Sequence, residues 1–236
     1  MPFGVPLVSY FSFDKQITPT IVPNRRTPVI EAMRIDKAVR FEAMMRTDCA
    51  LPLSRFTELL QIFISREPST IEIEQLGIGL RSNNFDSERE VAEFVQKVCN
   101  WGGYPGIGAR IIQKNSSELI VAALRNATAR LSIESPDVGL ALESINMLED
   151  LGQVSFASKH LRFLFPAVCP VLDSIISERM FYSNDVDGYR RFANGCRLIA
   201  NTLTMERVLN PILQRQNRWH AADAEASLYA YLRGWK

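Results

Sequence analysis

The sequence of 236 residues has little excess charge and no long apolar run. Its 27 Lys and Arg residues nearly balance 26 Asp and Glu residues, so net charge alone does not indicate a nucleic-acid-binding protein. No run of about 20 apolar residues occurs, so the sequence predicts no membrane span. The first 13 residues lack a basic start and contain Gly4 and Pro6, which is untypical of a signal peptide. We therefore expect a cytoplasmic protein.

Cysteine and histidine are too few and too scattered to predict a metal site. The four cysteines are Cys49, Cys99, Cys169 and Cys196. No two of them form a Cys-x-x-Cys clip, and the spacing that an iron–sulfur cluster needs is absent. The two histidines, His160 and His220, lie far apart in the sequence. We expect reduced, mostly buried thiols and no cofactor.

Most of the chain carries apolar residues at the spacing of amphipathic helices, which predicts a nearly all-α protein. Ser87 and Glu90 form a capping box, and apolar residues follow at helical spacing. Helices are predicted over 27–46, 54–65, 174–181, 185–203 and 221–233. Three further helices are predicted to begin near 87, 115 and 135. Residues 1–26 are predicted to form an irregular or short β arm, 50–53 a link, and 71–80 a short helix or a turn.

A glycine-rich segment with two large aromatic residues follows the third of these helices. Trp101–Arg110 contains four glycines, which argues against regular structure and lets the backbone approach a ligand closely. No Lys-Ser/Thr follows at phosphate-loop spacing, so a nucleotide-binding loop is excluded. Trp101 and Tyr104 either contact a ligand or anchor a tight turn.

Leu148–Ile176 is the most informative stretch, with the sequence LEDLGQVSFASKHLRFLFPAVCPVLDSII. A helix is predicted to end near Gly152, where glycine can take the left-handed turn that closes helices. A second helix follows, then an elbow with Pro166 and Pro170, and then Asp173 at the start of another helix. An aspartate in that position is often a helix cap.

This order resembles the helix-hairpin-helix DNA glycosylases, the superfamily that includes the 8-oxoguanine glycosylases. Cys169–Asp173 matches the family's Pro-Val-Leu-Asp elbow, whereas Leu151–Val154 keeps only one of the two hairpin glycines. The resemblance covers about 140–180. It implies one domain, 1–236, with helical lobes at 27–135 and 136–236 and the arm 1–26 packed on the body.

The resemblance also implies an activity and a set of site residues. A damaged or modified base would be flipped out of double-stranded DNA and released, with Asp173 as the catalytic carboxylate. Gly152, Gln153, Val154 and Ser155 would grip a phosphate, with Lys159 and Arg162 adding positive charge. Trp101, Tyr104 and Trp219 are candidates for the base pocket or for a loop that inserts into DNA. We expect the protein to act as a monomer.

The lysine of strand-cleaving family members would fall at Val154 or Ser155, and neither is lysine. Lys159 is predicted to point elsewhere unless the second helix is short. The sequence therefore predicts base removal without strand cleavage.

Two other functions stay open. The imperfect hairpin also suits a DNA-binding module without catalysis, and the near-neutral charge also suits an all-α interaction protein with no role on DNA. Charge is unevenly distributed, since residues 151–220 hold nine basic and five acidic residues. A locally basic half is what a DNA-facing lobe needs.

Overall fold

The computed structural model describes residues 11–14, 38–41 and 50–236, with side-chain burial from residue 51 onward. Three short strands form an antiparallel sheet: β1 (Phe11–Asp14), β2 (Ala38–Phe41) and β3 (Ala50–Pro52). Phe11 pairs with Phe41, and Ala38 pairs with Pro52.

The sheet corrects the predicted helix over 27–46, because Ala38–Phe41 is a strand. The remainder of that predicted helix lies outside the described residues. The predicted link at 50–53 contains β3, and the predicted arm contains β1. Strand formation depends on partners elsewhere in the chain, so the local signal for a helix after Thr27 did not decide the structure.

The chain divides into two compact units, Met1–Arg55 and Phe56–Lys236. The described part of the chain is mainly helical. Its helices are α1 (Ser54–Arg66), α2 (Thr70–Ser82), α3 (Glu88–Trp101), α4 (Pro105–Lys114), α5 (Ser117–Leu131), α6 (Val138–Asn146), α7 (Val154–Leu164), α8 (Ser174–Met180), α9 (Val186–Met205) and α10 (Ala221–Leu232). The predicted boundary between lobes at 135–136 falls within the second unit. No described helix combines the length and the apolar character that a membrane crossing requires.

Side-chain caps explain where several helices begin. The Ser87 side chain accepts a hydrogen bond from the Glu90 N–H, and the Ser116 side chain accepts one from the Leu119 N–H. Asp185 caps α9 through the Gly188 N–H at 2.7 Å. These bonds satisfy donors that the first turn of a helix leaves unpaired. The helix starts predicted near 87, 115 and 185 are confirmed.

Two segments are more helical than their sequences suggested. The segment 71–80 belongs to α2, and the glycine-rich segment is mostly α4, which begins at Pro105. Proline is favoured in the first turn of a helix because its missing N–H would be unpaired there. Gly108 packs against the amide group of Gln96 on α3, since a Cβ there would lie 2.9 Å from Gln96 Oε1. The irregular link is reduced to residues 102–104, where Gly103 has φ +79°.

The helical hairpin of α6 and α7 lies at the centre of the second unit. α6 packs on α5, α7 and α9, while α7 also packs on α2 and α3. α10 packs on α8 and α9. A buried ion network holds the start of α10 close to α2, since Arg215 pairs with Glu74 at 2.5 Å and with Asp223 at 2.9 Å. This network helps to fix α10 in its place beside the elbow.

Candidate active site

A cavity of about 90 Å³ lies where the hairpin helix α7, the proline elbow and α10 meet. It is lined by Phe63, Glu67, Trp101, Gly102, Lys159, Val171, Asp173, Glu225 and Tyr229. One amine and three carboxyl groups therefore line a space with aromatic walls. The fold brings these groups together from α1, α3, α7 and α10 and from the turn and elbow segments that follow α1, α3 and α7.

Lys159 is directed into this cavity from the middle of α7. Its side chain is 8% exposed, and Nζ donates a hydrogen bond to Ser155 Oγ at 3.0 Å. Burial lowers the pKa of the amine, and the charges of Asp173 and Glu225 partly oppose that shift. A lowered pKa increases the share of the neutral, nucleophilic amine. The prediction that Lys159 points elsewhere is wrong, since it lines the same cavity as Asp173.

Asp173 ends the elbow and begins α8. Its Oδ1 accepts a hydrogen bond from the Ile176 N–H at 2.9 Å. The elbow is held from two sides, because the Leu172 N–H donates to Ser158 Oγ and the Tyr189 hydroxyl donates to the Pro170 carbonyl. Burial raises the pKa of Asp173, while the Ile176 N–H and Lys159 lower it. The helix cap at Asp173 is present as predicted. Desolvation nevertheless raises the pKa of Asp173 by more than the hydrogen bond at the helix start lowers it.

Glu225 is a cavity residue that the sequence did not reveal. It is 2% exposed, and Oε2 has no hydrogen-bond partner among the described residues. Burial raises its pKa to about 8, against the lowering effect of Arg162. One feature of the sequence could have predicted its burial. Glu225 lies in the alanine-rich stretch Ala221–Ala226, and such a stretch is typical of a helix that is buried on all sides.

Arg162 is buried beside Glu225 instead of facing solvent. Its Nε lies 3.8 Å from Glu225 Oε2, and the guanidinium lies 4.8 Å from the centre of the Phe163 ring. Only 2% of the residue is exposed. The predicted phosphate contact of Arg162 is therefore incompatible with this structure. The guanidinium instead lies beside the buried carboxyl group of Glu225.

The three predicted aromatic residues occupy different environments. Trp101 lines the cavity, donates to Thr70 Oγ1 at 3.0 Å and meets Phe163 edge-on. Tyr104 is 57% exposed outside the cavity. Trp219 is buried, and its Nε1 donates to the Val208 carbonyl at 2.8 Å. Of the three, only Trp101 is in a position to contact a group in the cavity.

The hairpin turn differs from its prediction, since α6 ends at Asn146 and not near Gly152. Asp150, with φ +66°, takes the left-handed conformation, and Gly152 does not. Aspartate tolerates this conformation better than most residues, so the turn does not require glycine. The backbone N–H groups of Gly152, Val154 and Ser155 have no acceptor among the described residues. They remain available for an anion at the start of α7.

Two exposed arginines lie close to the aromatic wall of the cavity. The Arg233 guanidinium lies 5.9 Å from the centre of the Tyr229 ring, and that of Arg66 lies 5.0 Å from the Trp235 ring. The Tyr229 and Trp235 rings are in edge contact, 5.4 Å apart. These cations give one side of the cavity a positive edge that the sequence did not predict.

Within residues 50–236, no cluster of His, Cys, Asp and Glu has the arrangement that would hold a metal ion. Cys99, Cys169 and Cys196 are buried free thiols. No family model, no curated protein and no solved structure matches this chain.

Proposed function

We propose that the protein is a DNA glycosylase that flips a damaged or modified base out of duplex DNA and breaks its N-glycosidic bond. The observation that carries this proposal is the joint presence of Lys159 and Asp173 in one buried cavity behind a helical hairpin. Both groups are fixed by neighbours, Lys159 by Ser155 and Asp173 by the Ile176 N–H.

The chemistry of base release fits these groups. Breaking the bond between sugar and base develops positive charge on the sugar, and a buried carboxylate stabilises such charge strongly. Asp173 supplies that carboxylate. Trp101, Phe63 and Tyr229 give the cavity aromatic walls against which a ring can stack.

The size of the cavity implies that it opens when a nucleotide enters. At about 90 Å³ it is smaller than the ~150 Å³ cavity that accommodates benzene in another protein. Glu67, Trp101 and Tyr229 are partly exposed, whereas Phe63 and Glu225 are buried. We expect the first three to shift outward as a base enters, with Trp101 and Tyr229 still in contact with its ring, and the last two to form the fixed floor.

Two routes to bond cleavage are compatible with the cavity. In the first, Asp173 activates water and the base is released without strand cleavage, as the sequence predicted. In the second, the Lys159 amine attacks C1′ of the sugar and forms a covalent intermediate that leads to strand cleavage. The position of Lys159 beside Asp173, and its lowered pKa, favour the second route.

DNA binding is proposed to involve two surfaces. The free N–H groups of Gly152, Val154 and Ser155 suit a phosphate oxygen, as a helix start does in general. Arg66 and Arg233 add positive charge near Tyr229, at the edge of the cavity. Arg162 has no part in this surface because it is buried.

The experiment that tests the proposal is base release from duplexes that each carry one modified base. Alkali treatment after incubation reveals abasic sites as strand breaks. Release of at least one base, together with salt-dependent binding to duplex DNA, is the expected result. Binding without release of any base would favour a DNA-binding module, and the absence of binding would favour an interaction protein.

A further inference from the structure

The buried carboxyl group of Glu225 has no role in the steps above, although it lines the same cavity as Asp173. A buried polar atom without a partner is costly, so it usually indicates either a bound group or a functional requirement. Oε2 of Glu225 has no hydrogen-bond partner among the described residues, and its nearest cation, Arg162 Nε, is 3.8 Å away.

We propose that Glu225 is the general acid that protonates the departing base, while Asp173 stabilises the sugar cation. This inference rests on the proposed function. Its geometric basis is that two carboxyl groups from different elements, α10 and the elbow, line one cavity with an aromatic floor. A base held against Phe63 would have Glu225 and Asp173 among its neighbours.

The two carboxyl groups differ in how they are held. Asp173 receives a hydrogen bond from the Ile176 N–H, which favours its charged form. Glu225 is more deeply buried, and its pKa of about 8 keeps it largely protonated at neutral pH. Environments that separate two carboxyl groups in this way are how one site obtains both an acid and a charged carboxylate.

Titratable and hydrogen-bonding groups on α7, the elbow, α9 and α10 act on Glu225. They are Lys159 and Arg162 on α7, the Val171 N–H and Asp173 in the elbow, Tyr189 and Cys196 on α9, and Tyr229 on α10. Arg162, Lys159 and the Val171 N–H lower the pKa of Glu225, whereas burial and Asp173 raise it. Tyr189 and Cys196 are themselves neutral, because burial raises their pKa values well above the ordinary ones.

The proposed step is acid-assisted cleavage of the N-glycosidic bond. The bond between C1′ and the base nitrogen breaks, its electron pair stays on the base, and the proton of Glu225 moves to the base. The attacking group, either water or the Lys159 amine, forms the new bond to C1′ and gives one proton to Asp173. Glu225 is left as a carboxylate beside Arg162, and proton exchange with Asp173 and solvent restores it.

The test compares Glu225→Gln with wild type on duplexes that contain 8-oxoguanine, uracil or hypoxanthine, all of which leave as neutral bases only after protonation. Single-turnover release by E225Q is expected to fall by about 100-fold or more, which is the usual contribution of a general acid. Affinity for a duplex with a tetrahydrofuran abasic site should stay unchanged. The ratio of the wild-type rate to the E225Q rate should fall between pH 7 and pH 9, because any titration of Lys159 affects both proteins.

Release by E225Q at the wild-type rate would overturn the inference. A loss of release matched by an equal loss of duplex affinity or of heat stability would also overturn it, by indicating a structural role. If wild type releases none of the three bases, the proposed function itself fails on these substrates, and the inference fails with it. That result is recognisable because it appears before any variant is compared.

Discussion

Lys159 and Asp173 shift each other's pKa across the cavity: the aspartate raises that of the amine, and the amine lowers that of the carboxyl group. Burial acts in the opposite direction on both residues. Burial therefore favours the neutral form of each group, while their mutual attraction favours the charged pair. A nucleophilic role for Lys159 needs the neutral amine, which burial favours.

The amine route predicts a covalent adduct at Lys159. Borohydride reduction during the reaction should cross-link wild-type protein to DNA that contains an abasic site, because an imine between lysine and sugar is reducible. Lys159→Gln should abolish the adduct. Lys114→Gln is the matched control, since Lys114 is half exposed on α4 and lies outside the cavity lining. Base release without any adduct would instead support the water route.

The hairpin prediction concerns Gly152. A Cβ at this position would have Asn146 O, at 4.0 Å, as its nearest neighbour, so Gly152→Val should fold normally. The branched side chain would hinder approach of a phosphate to the start of α7. Affinity should fall by a similar factor, on the order of several-fold, for all DNA sequences, because phosphate contacts carry no sequence information. Gly79→Val is the control, as a Cβ on Gly79 also has open space and lies outside the hairpin. Unchanged affinity in folded G152V would count against the grip.

Glu225 should make stability depend on pH. Its pKa is raised from 4.5 to about 8 in the folded protein. The native state therefore holds a proton that the unfolded state has lost between these two pH values. Stability from this group is complete below about pH 4.5 and is lost as pH rises through 8, by at most ~1.4 kcal/mol per pH unit.

Chemical denaturation at pH 5 to pH 9 checks this dependence. Glu225→Gln should unfold with a flatter pH profile in that range, because glutamine resembles the protonated carboxyl group and does not titrate. His160→Gln is a useful comparison. Burial lowers the pKa of His160 to about 4, so its effect appears at acidic pH, where stability is lost as pH falls from 6.5. Equal slopes for wild type and E225Q above pH 5 would mean that Glu225 is ionised in the folded state.

Arg215 is predicted to be essential for stability. Replacing it by alanine would leave Glu74 and Asp223 buried without their shared cation. Removing one partner of a buried ion pair typically costs about 3–5 kcal/mol. Arg190→Ala is the control, because Arg190 forms partly exposed pairs with Asp137 and Asp187 whose loss should cost less than about 1 kcal/mol. Urea unfolding of the two variants measures the difference, and equal stabilities would contradict the role of the network.

The sequence predicted features that depend on neighbours in the chain, and it missed those that depend on distant partners. The caps at Ser87 and Asp173 are local hydrogen bonds within three residues, and both are present. Strand β2 depends on pairing with β1 and β3, which no local pattern displays. The predicted helix at 38–41 was wrong for this reason.

The candidate site also combines features that the sequence predicted with features that depend on distant parts of the chain. The proline elbow in the sequence pointed to Asp173 as the candidate catalytic carboxylate. The direction of the Lys159 side chain depends on where α7 begins, at Val154, and counting residues along the chain could not predict that start. Arg162 was expected to add positive charge to the phosphate grip, whereas it lies buried against the Phe163 ring and the Glu225 carboxyl group. Glu225 joins the cavity only because Arg215 and α9 help to place α10 beside the elbow.

The most direct test of the central claim is base release by Asp173→Asn. Asparagine caps helices about as well as aspartate, so fold and DNA affinity should remain. Asp185→Asn is a matched control, since Asp185 caps α9 by the same kind of bond and does not line the cavity.

Release of a modified base, scored as abasic sites after alkali, should fall by about 100-fold or more in D173N, in line with the loss of a group that stabilises transition-state charge. It should stay at the wild-type level in D185N. A folded D173N protein that releases the base as fast as D185N would contradict the assignment of Asp173 as the catalytic carboxylate.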